Sequence, residues 1–153
     1  MTLPLLDYTA PLQIEIAATA QDISAASAWL TEQCEVHRVP AAQQARLDLC
    51  LNEALANVIF HGGDALSAAR IRIQFHADLG STRCDAAVTV SDPGKPFDPL
   101  HAPIKPRPTS LETAEPGGHG LLMLRKFSDR LEYYYADAQN HLTFAVRWEG
   151  RSA

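Results

Sequence analysis

The sequence predicts an α+β fold, a two-layer sandwich in which helices cover one face of a mixed, mostly antiparallel sheet. Short segments that alternate apolar and polar residues indicate strands, and longer segments with apolar residues three and four apart indicate helices. The two kinds follow one another in the order β-α-α-β-β-loop-α-β-β. A chain of 153 residues has room for one such fold, so residues 1–153 are predicted to form a single domain.

The first strand and the first helix are indicated by a change of period near residue 19. Residues 12–16 alternate apolar and polar side chains, which is typical of a short half-buried strand. Either Thr19 or Asp22 can cap the helix that follows. This helix is predicted to run to about Arg38, because a residue that precedes a proline, here Pro40, is disfavoured in helical geometry.

The second helix and the first hairpin follow from the same patterns. Residues 41–60 carry apolar side chains on one helical face, and glycines at 62–63 are expected to stop that helix. Residues 69–79 and 85–90 both alternate, with a polar turn between them, which predicts a β-hairpin.

A long aperiodic segment separates this hairpin from the last elements. Residues 93–117 are rich in proline and show neither the alternation of a strand nor the period of a helix. A loop of more than about 12–15 residues in a compact domain is usually a lid or a binding loop. Residues 118–130 then predict a helix, and residues 130–135 and 141–148 predict a closing hairpin.

Composition argues against several kinds of partner. Thirteen basic residues against 18 acidic ones give a net charge of −5 without a basic stripe, so nucleic acid is not expected as a direct partner. Three scattered cysteines without a C-x-x-C suggest neither a disulfide framework nor a zinc site, and they fit a reducing cytoplasm. No apolar run approaches the ~20 residues that cross a bilayer, so a cytoplasmic protein without membrane contact is expected.

Glu53 and Asn57 are the first candidate site residues. They lie four apart in the second predicted helix and therefore point the same way. Asn57 has apolar neighbours, and a buried carboxamide needs hydrogen-bond partners. A magnesium ion with its waters would supply them, and Glu53 would orient or deprotonate an attacking hydroxyl or water. The alternative is that both residues face solvent on an amphipathic helix.

Asp92 and Gly94 form the second candidate group, after a strand-like segment. A carboxylate fixed at a strand end accepts a hydrogen bond from an exocyclic amine, and a glycine lets a flat ring lie close to the backbone. The same Asp-Pro-Gly sequence is also common in ordinary turns.

The glycines around His119 form the third group, at the start of the last predicted helix. Free N–H groups and the positive end of the helix dipole favour a phosphate there. The alternative is a flexible hinge. The segment lacks the Lys-Ser/Thr pair of a Walker A loop and is not a dinucleotide fingerprint.

Together these motifs resemble the ATP-binding fold shared by gyrase, the heat-shock chaperones, histidine kinases and mismatch-repair ATPases. The shared order is E-x-x-x-N on a helix, D-x-G after a strand, a long lid, and G-x-G into a helix. Within that superfamily, residues 53–61 (EALANVIFH), 92–99 (DPGKPFDP) and 118–124 (GHGLLML) are similar to the anti-sigma-factor serine/threonine kinases of bacterial partner-switching systems.

This resemblance implies a role for each candidate residue, with ATP and Mg²⁺ as the cofactors. Asn57 would be the magnesium ligand and Glu53 the general base. Asp92 would accept the adenine amino group, and Gly94 would flank the ring. The second glycine box, near the phosphates, would comprise Gly118, His119, Gly120 and Leu121.

The function implied by the resemblance is that of a kinase and an anti-sigma factor. It would phosphorylate a small anti-anti-sigma protein of the STAS type, and alternately sequester a sigma factor or another regulatory protein. The family commonly forms homodimers. One alternative is a nucleotide-binding sequestration module with little catalysis, against which Glu53 argues. Another is the catalytic part of a split histidine kinase, against which the lack of a dimerisation helix with a phosphoacceptor histidine argues.

Overall fold

The computed structural model of the chain describes residues 12–61, 70–100 and 120–150. Five strands and three helices lie in these ranges. They are β1 (Leu12–Ile16), α1 (Ala20–Val36), α2 (Ala41–His61), β2 (Ile71–Leu79), β3 (Arg83–Asp92), α3 (Gly120–Phe127), β4 (Arg130–Ala136) and β5 (Gln139–Glu149). None of the described helices is long and apolar enough to cross a bilayer.

The strands form one sheet in the order β1-β2-β3-β5-β4, and every described pairing is antiparallel. The predicted α+β fold class is confirmed. The central strand β3 pairs with β5 in a register that places Asp92 opposite Asn140. The last residue of β3 and the first residues of β5 therefore lie side by side at the same end of the sheet.

The hydrophobic core lies between the helices and one face of the sheet. Leu47, Leu51 and Leu55 form the inward stripe of α2, and Val88 and Phe144 lie on the facing strands, all fully buried. Other large side chains that share this core are Ile16, Leu30, Ile71, Ile73, Phe75, Val90, Leu124 and Val146.

Two cysteines, Cys34 and Cys50, are fully buried in the same core as free thiols. Burial raises the pKa of Cys34 to about 12, with smaller contributions from nearby carboxylates. Burial also raises the pKa of Cys50 to about 11, although Arg46 acts in the opposite direction.

Of the two predicted caps of α1, Thr19 takes the N-cap position, and Asp22 lies in the first turn of the helix. The side chain of Thr19 accepts a hydrogen bond from the backbone N–H of Asp22 at 3.1 Å. Oδ2 of Asp22 accepts one from the backbone N–H of Ala17 at 2.7 Å. The first bond caps the helix, and the second ties its first turn to the residue that follows β1. The helix ends at Val36, two residues before the predicted Arg38, which adopts a left-handed φ of 58°.

The C-terminal end of α3 lies three residues before its predicted end at Arg130. Ser128 Oγ bonds to the Leu124 carbonyl, and the N–H of Asp129 donates to the Ala145 carbonyl of β5 at 2.8 Å. The predicted end of this helix was wrong because Asp129 already bonds to the sheet and Arg130 begins β4. Residues 118–119 of the predicted helix lie outside the described residues.

Arg46 of α2 fixes this end of α3. Its Nε donates to the carbonyl of Phe127 at 3.0 Å, and its guanidinium pairs with Asp129 at 3.2 Å. A cation at a helix C-terminus also interacts favourably with the helix dipole. One side chain therefore joins α2, α3 and the start of β4.

The turn between β4 and β5 consists of two residues, Asp137 and Ala138, with φ of 55° and 59°. Two successive left-handed residues are typical of a type I′ turn, whose twist suits a hairpin. Strands β4 and β5 extend directly to this turn, and the predicted strands 130–135 and 141–148 were slightly short. The tight turn fixes the register of β5.

Core packing on α2 should dominate the stability of the fold. Leu51→Ala removes a fully buried side chain, and we expect it to lower the free energy of unfolding by about 2–5 kcal/mol. Urea denaturation followed by circular dichroism measures this change. Leu79→Ala is the matched control, because Leu79 is 53% exposed, and its effect should be below about 1 kcal/mol. Equal losses in the two variants would contradict the packing described here.

Candidate functional site

A pocket of about 370 Å³, with the solvent at its mouth included, opens between α2, the loop after β3, and strands β4 and β5. The residues of α2 that line it follow helical spacing. The lining residues are Ala54, Asn57, Val58 and His61 of α2, Asp92, Lys95, Phe97 and Pro99 of β3 and its loop, and Tyr133, Asn140 and Leu142 of β4 and β5. Apolar walls with a few converging polar groups are typical of small-ligand sites.

Asn57 presents a buried carboxamide to this pocket. The residue is 7% exposed, and its Nδ2 atom has no hydrogen-bond partner among the described residues. An unpaired buried polar group costs about 1–3 kcal/mol. Because a carboxamide carries both an acceptor oxygen and a donor nitrogen, a ligand that offers a cation and an anionic oxygen would satisfy both ends.

Glu53 lies one helical turn before Asn57 but is not part of the pocket wall. The side chain is half-buried, and its carboxylate makes no hydrogen bond or ion pair with any described residue. The structure thus brings Asn57 and Asp92 into one pocket and leaves Glu53 beside it.

Asp92 is 5% exposed at the end of β3. Its Oδ1 accepts hydrogen bonds from the backbone N–H of Gly94 at 2.9 Å and from Nδ2 of Asn140 at 3.2 Å. The first of these closes an Asx turn, which explains why the Asp-Pro-Gly sequence suits this place. Burial raises the pKa of Asp92, while the two hydrogen bonds and His141 act in the opposite direction.

Asn140 is a site residue that the sequence analysis missed. Besides Asp92, its Nδ2 contacts the carbonyls of Gly94 at 3.2 Å and Lys95 at 2.9 Å. Its Oδ1 accepts from the N–H of Phe97 at 3.0 Å and from the hydroxyl of Tyr133 at 2.5 Å. The one signal in the sequence was a polar residue at the start of a largely apolar strand. In the structure Asn140 is 6% exposed.

An aromatic contact closes the other side of the pocket. The rings of His61 and Phe97 stack with centroids 3.9 Å apart and an interplanar angle of 11°. Phe60 meets the His61 ring edge-on at 4.8 Å. The end of α2 is thereby joined to the loop that follows Asp92.

The second glycine box is only partly covered by the structure. Gly120 begins α3 and Leu121 lies within that helix. Gly118 and His119 lie outside the described residues. The assignment of these four residues to phosphate binding stays a prediction.

Comparison with known proteins identifies the family. Residues 16–146 match the model of the histidine kinase-like ATPase domain. The chain belongs to this ATPase family. The predicted membership is therefore confirmed, and it implies that ATP is the ligand class of the domain.

Two similar proteins narrow the comparison within this ATPase family. Serine/threonine-protein kinase BtrW from Bordetella bronchiseptica is 35% identical over 130 residues, which cover 85% of this chain and 89% of that protein. This relative confirms the predicted enzyme class, a protein serine/threonine kinase. A crystal structure of the RsbU and RsbW domains of a Mycobacterium tuberculosis protein superposes with a TM-score of 0.62 at 17% identity, over 94% of this chain and 34% of that one. This second likeness concerns the fold.

The buried carboxylate of Asp92 should make stability depend on pH. Because its pKa is raised in the folded state, ionisation costs stability as the pH rises above the ordinary value of about 3.9. This cost is fully present above the folded pKa. Asp92→Asn should therefore increase the free energy of unfolding of the nucleotide-free protein at pH 7, and the gain should shrink on acidification toward pH 4.

Urea denaturation at several pH values measures this gap, which is the difference in the free energy of unfolding between Asp92→Asn and the wild type. The control is Asp78→Asn, since Asp78 is exposed on β2, and its effect should stay within about 0.5 kcal/mol. A gap for Asp92→Asn that is absent at pH 7, or that grows on acidification, would refute the predicted pH dependence.

Proposed function

We propose that the pocket binds ATP with magnesium and that the chain transfers the γ-phosphate to a serine or threonine of a small STAS-type anti-anti-sigma protein. In alternation it would sequester a sigma factor or another regulatory protein. The observation that carries the proposal is the buried Asn57 amide, whose nitrogen lacks a described partner, in the same pocket as Asp92. The similarity to BtrW supports the kinase activity.

Adenine is the part of the nucleotide that Asp92 would bind. A carboxylate accepts hydrogen bonds, and its Oδ2 has no hydrogen-bond partner among the described residues, since the recorded donors both reach Oδ1. The exocyclic amine of adenine is a matching donor. Gly94 lies buried beside this carboxylate, where a residue without a side chain leaves space for the ring.

Asn57 would hold the magnesium ion. Magnesium usually takes one or two protein oxygens and completes its shell with waters and substrate phosphates. No group of three His, Cys, Asp or Glu side chains within the described ranges forms a metal site by itself, which fits an ion held jointly by Asn57 and phosphates. Oδ1 would face the ion, and Nδ2 could donate to a phosphate oxygen. When bound, the ion would neutralise part of the negative charge on the phosphates.

Glu53 would be the general base for the attacking hydroxyl. Its side chain is half-buried, and its carboxylate makes no hydrogen bond or ion pair with a described residue. Its place beside the pocket, outside the wall, suits a hydroxyl that a protein substrate brings from outside. Phosphorylation would add roughly −1.5 to −2 charges to that substrate and weaken its interface, which would release the kinase for its second partner.

A second candidate function is nucleotide-dependent sequestration with little phosphotransfer. The observation that favours it is that Glu53 does not line the pocket in which the nucleotide would lie. The two candidates agree on ATP binding and differ only in whether the phosphate is transferred.

We further propose that residues 1–153 act as one cytoplasmic domain and that the working unit is a homodimer.

The metal assignment predicts a defect that depends on magnesium. Asn57→Ala should weaken ATP binding about 10- to 100-fold in the presence of Mg²⁺, the effect of losing contacts to charged groups. Without Mg²⁺ the loss should be smaller. Isothermal titration calorimetry in the two conditions measures this difference, and Asn52→Ala on the exposed face of α2 is the control. Unchanged affinity in both conditions would remove Asn57 from the site.

The assignment of Glu53 as the general base predicts that its substitution changes the rate of phosphotransfer but not the affinity for ATP. Glu53→Gln should retain ATP affinity and lose about 10²–10⁴-fold in phosphotransfer, the usual contribution of a general base. The assay follows label from ATP into STAS-type proteins of the same genome, on serine or threonine. ATP binding without any labelled protein would favour the sequestration module. A variant that labels its substrate at the wild-type rate would exclude Glu53 as the base.

A further inference from the structure

The hydrogen-bonding capacity of Asn140 is fully used within the protein. A carboxamide nitrogen has two hydrogens, and three acceptors surround Nδ2 of Asn140: Oδ1 of Asp92 and the carbonyls of Gly94 and Lys95. Its Oδ1 has two lone pairs and accepts from two donors, Phe97 and Tyr133. Although Asn140 lines the pocket, it has no group left for a ligand.

These contacts also settle which way the amide points. The N–H of Phe97 and the hydroxyl of Tyr133 offer donors on one side, while the other side presents acceptors only. Rotation of the amide by 180° would place like groups together on both sides. The donor end is therefore held toward Asp92 by the pattern of its neighbours.

The effect of this contact is to orient the carboxylate of Asp92. Both donors, Gly94 and Asn140, reach Oδ1, and Oδ2 is left without a hydrogen-bond partner among the described residues. Hydrogen bonds to a carboxylate also favour its ionised form, which opposes the effect of burial. An ionised carboxylate can accept a hydrogen bond but cannot donate one.

We propose that Asn140 is the positioning residue for nucleobase selectivity: it fixes Asp92 as an acceptor at the 6-position of a purine and holds the 94–97 loop beside it. The proposal rests on ATP binding in this pocket. Adenine carries a donor at that position, whereas guanine and hypoxanthine carry a carbonyl acceptor. Two acceptors that face each other repel, so a fixed acceptor at Asp92 excludes 6-oxopurines.

Loss of Asn140 should relax the selectivity as well as the affinity. Without its donor, the carboxylate of Asp92 keeps one hydrogen bond and is free to turn or to take up a proton. A protonated carboxyl group donates, and this donor would suit the carbonyl of a 6-oxopurine. A residue that only supported the fold would instead lower the affinity for all purine nucleotides by the same factor.

Three triphosphates separate these two outcomes: ATP, ITP, and the triphosphate of purine riboside, which carries neither amine nor carbonyl at the 6-position. Their dissociation constants with Mg²⁺ are measured by calorimetry for the wild type, Asn140→Leu and Asn140→Ala. Leu keeps the branched shape of Asn without its polar atoms. Ala is the second variant should Leu not fold, as judged by thermal denaturation. Asn52→Leu makes the same change at an exposed position of α2.

The wild type should bind ATP about 100-fold or more tightly than ITP, since a site built to bond one polar group rejects its mismatched analogue. In the Asn140 variants this ratio should fall at least about tenfold, and the preference for ATP over purine riboside triphosphate should also shrink. Asn52→Leu should keep both ratios.

Ratios that stay constant in a folded Asn140 variant, while all three affinities fall together, would overturn the proposal. Equal binding of ATP and ITP by the wild type would overturn it as well. Failure of the wild type to bind any of the three would instead refute the proposed ATP function, so the two failures are distinguishable.

Discussion

The pairing of β3 with β5 is the constraint on which the site depends. Its register places Asp92 opposite Asn140, and the side chain of Asn140 then bonds to Gly94, Lys95 and Phe97 of the loop after β3. A shift by one residue would turn Asn140 to the opposite face of the sheet. On its other side β5 pairs with β4, and the two-residue turn at Asp137 and Ala138 fixes the register of that pair.

Local patterns in the sequence were enough for most of the fold. The alternation of residues 12–16 and the helical period of residues 41–60 predicted β1 and α2 to within one residue, and Thr19 caps α1 as expected. These features depend on neighbours a few positions away. The end of α3 was wrong because the decisive contact, from Asp129 to Ala145, comes from a distant strand.

The same distinction between local patterns and contacts from distant strands applies to the candidate site. Asn57 and Asp92 were predicted from polar residues in apolar surroundings, and the structure brings both to one pocket. Asn140 was missed because its importance appears only once the strand register is known. That register pairs β5 with β3, a strand more than 40 residues earlier in the chain. No pattern within β5 itself carries this information.

The buried thiols of the core also determine how the protein responds to its surroundings. With pKa values of about 12 and 11, only on the order of one in 10⁵ to 10⁴ of the Cys34 and Cys50 side chains is a thiolate at pH 7, and the thiolate is the form that oxidants and alkylating agents attack. Both groups are also closed to solvent. Thiol reagents should therefore react slowly with these two positions as long as the core stays closed, and reaction at either one would report unfolding.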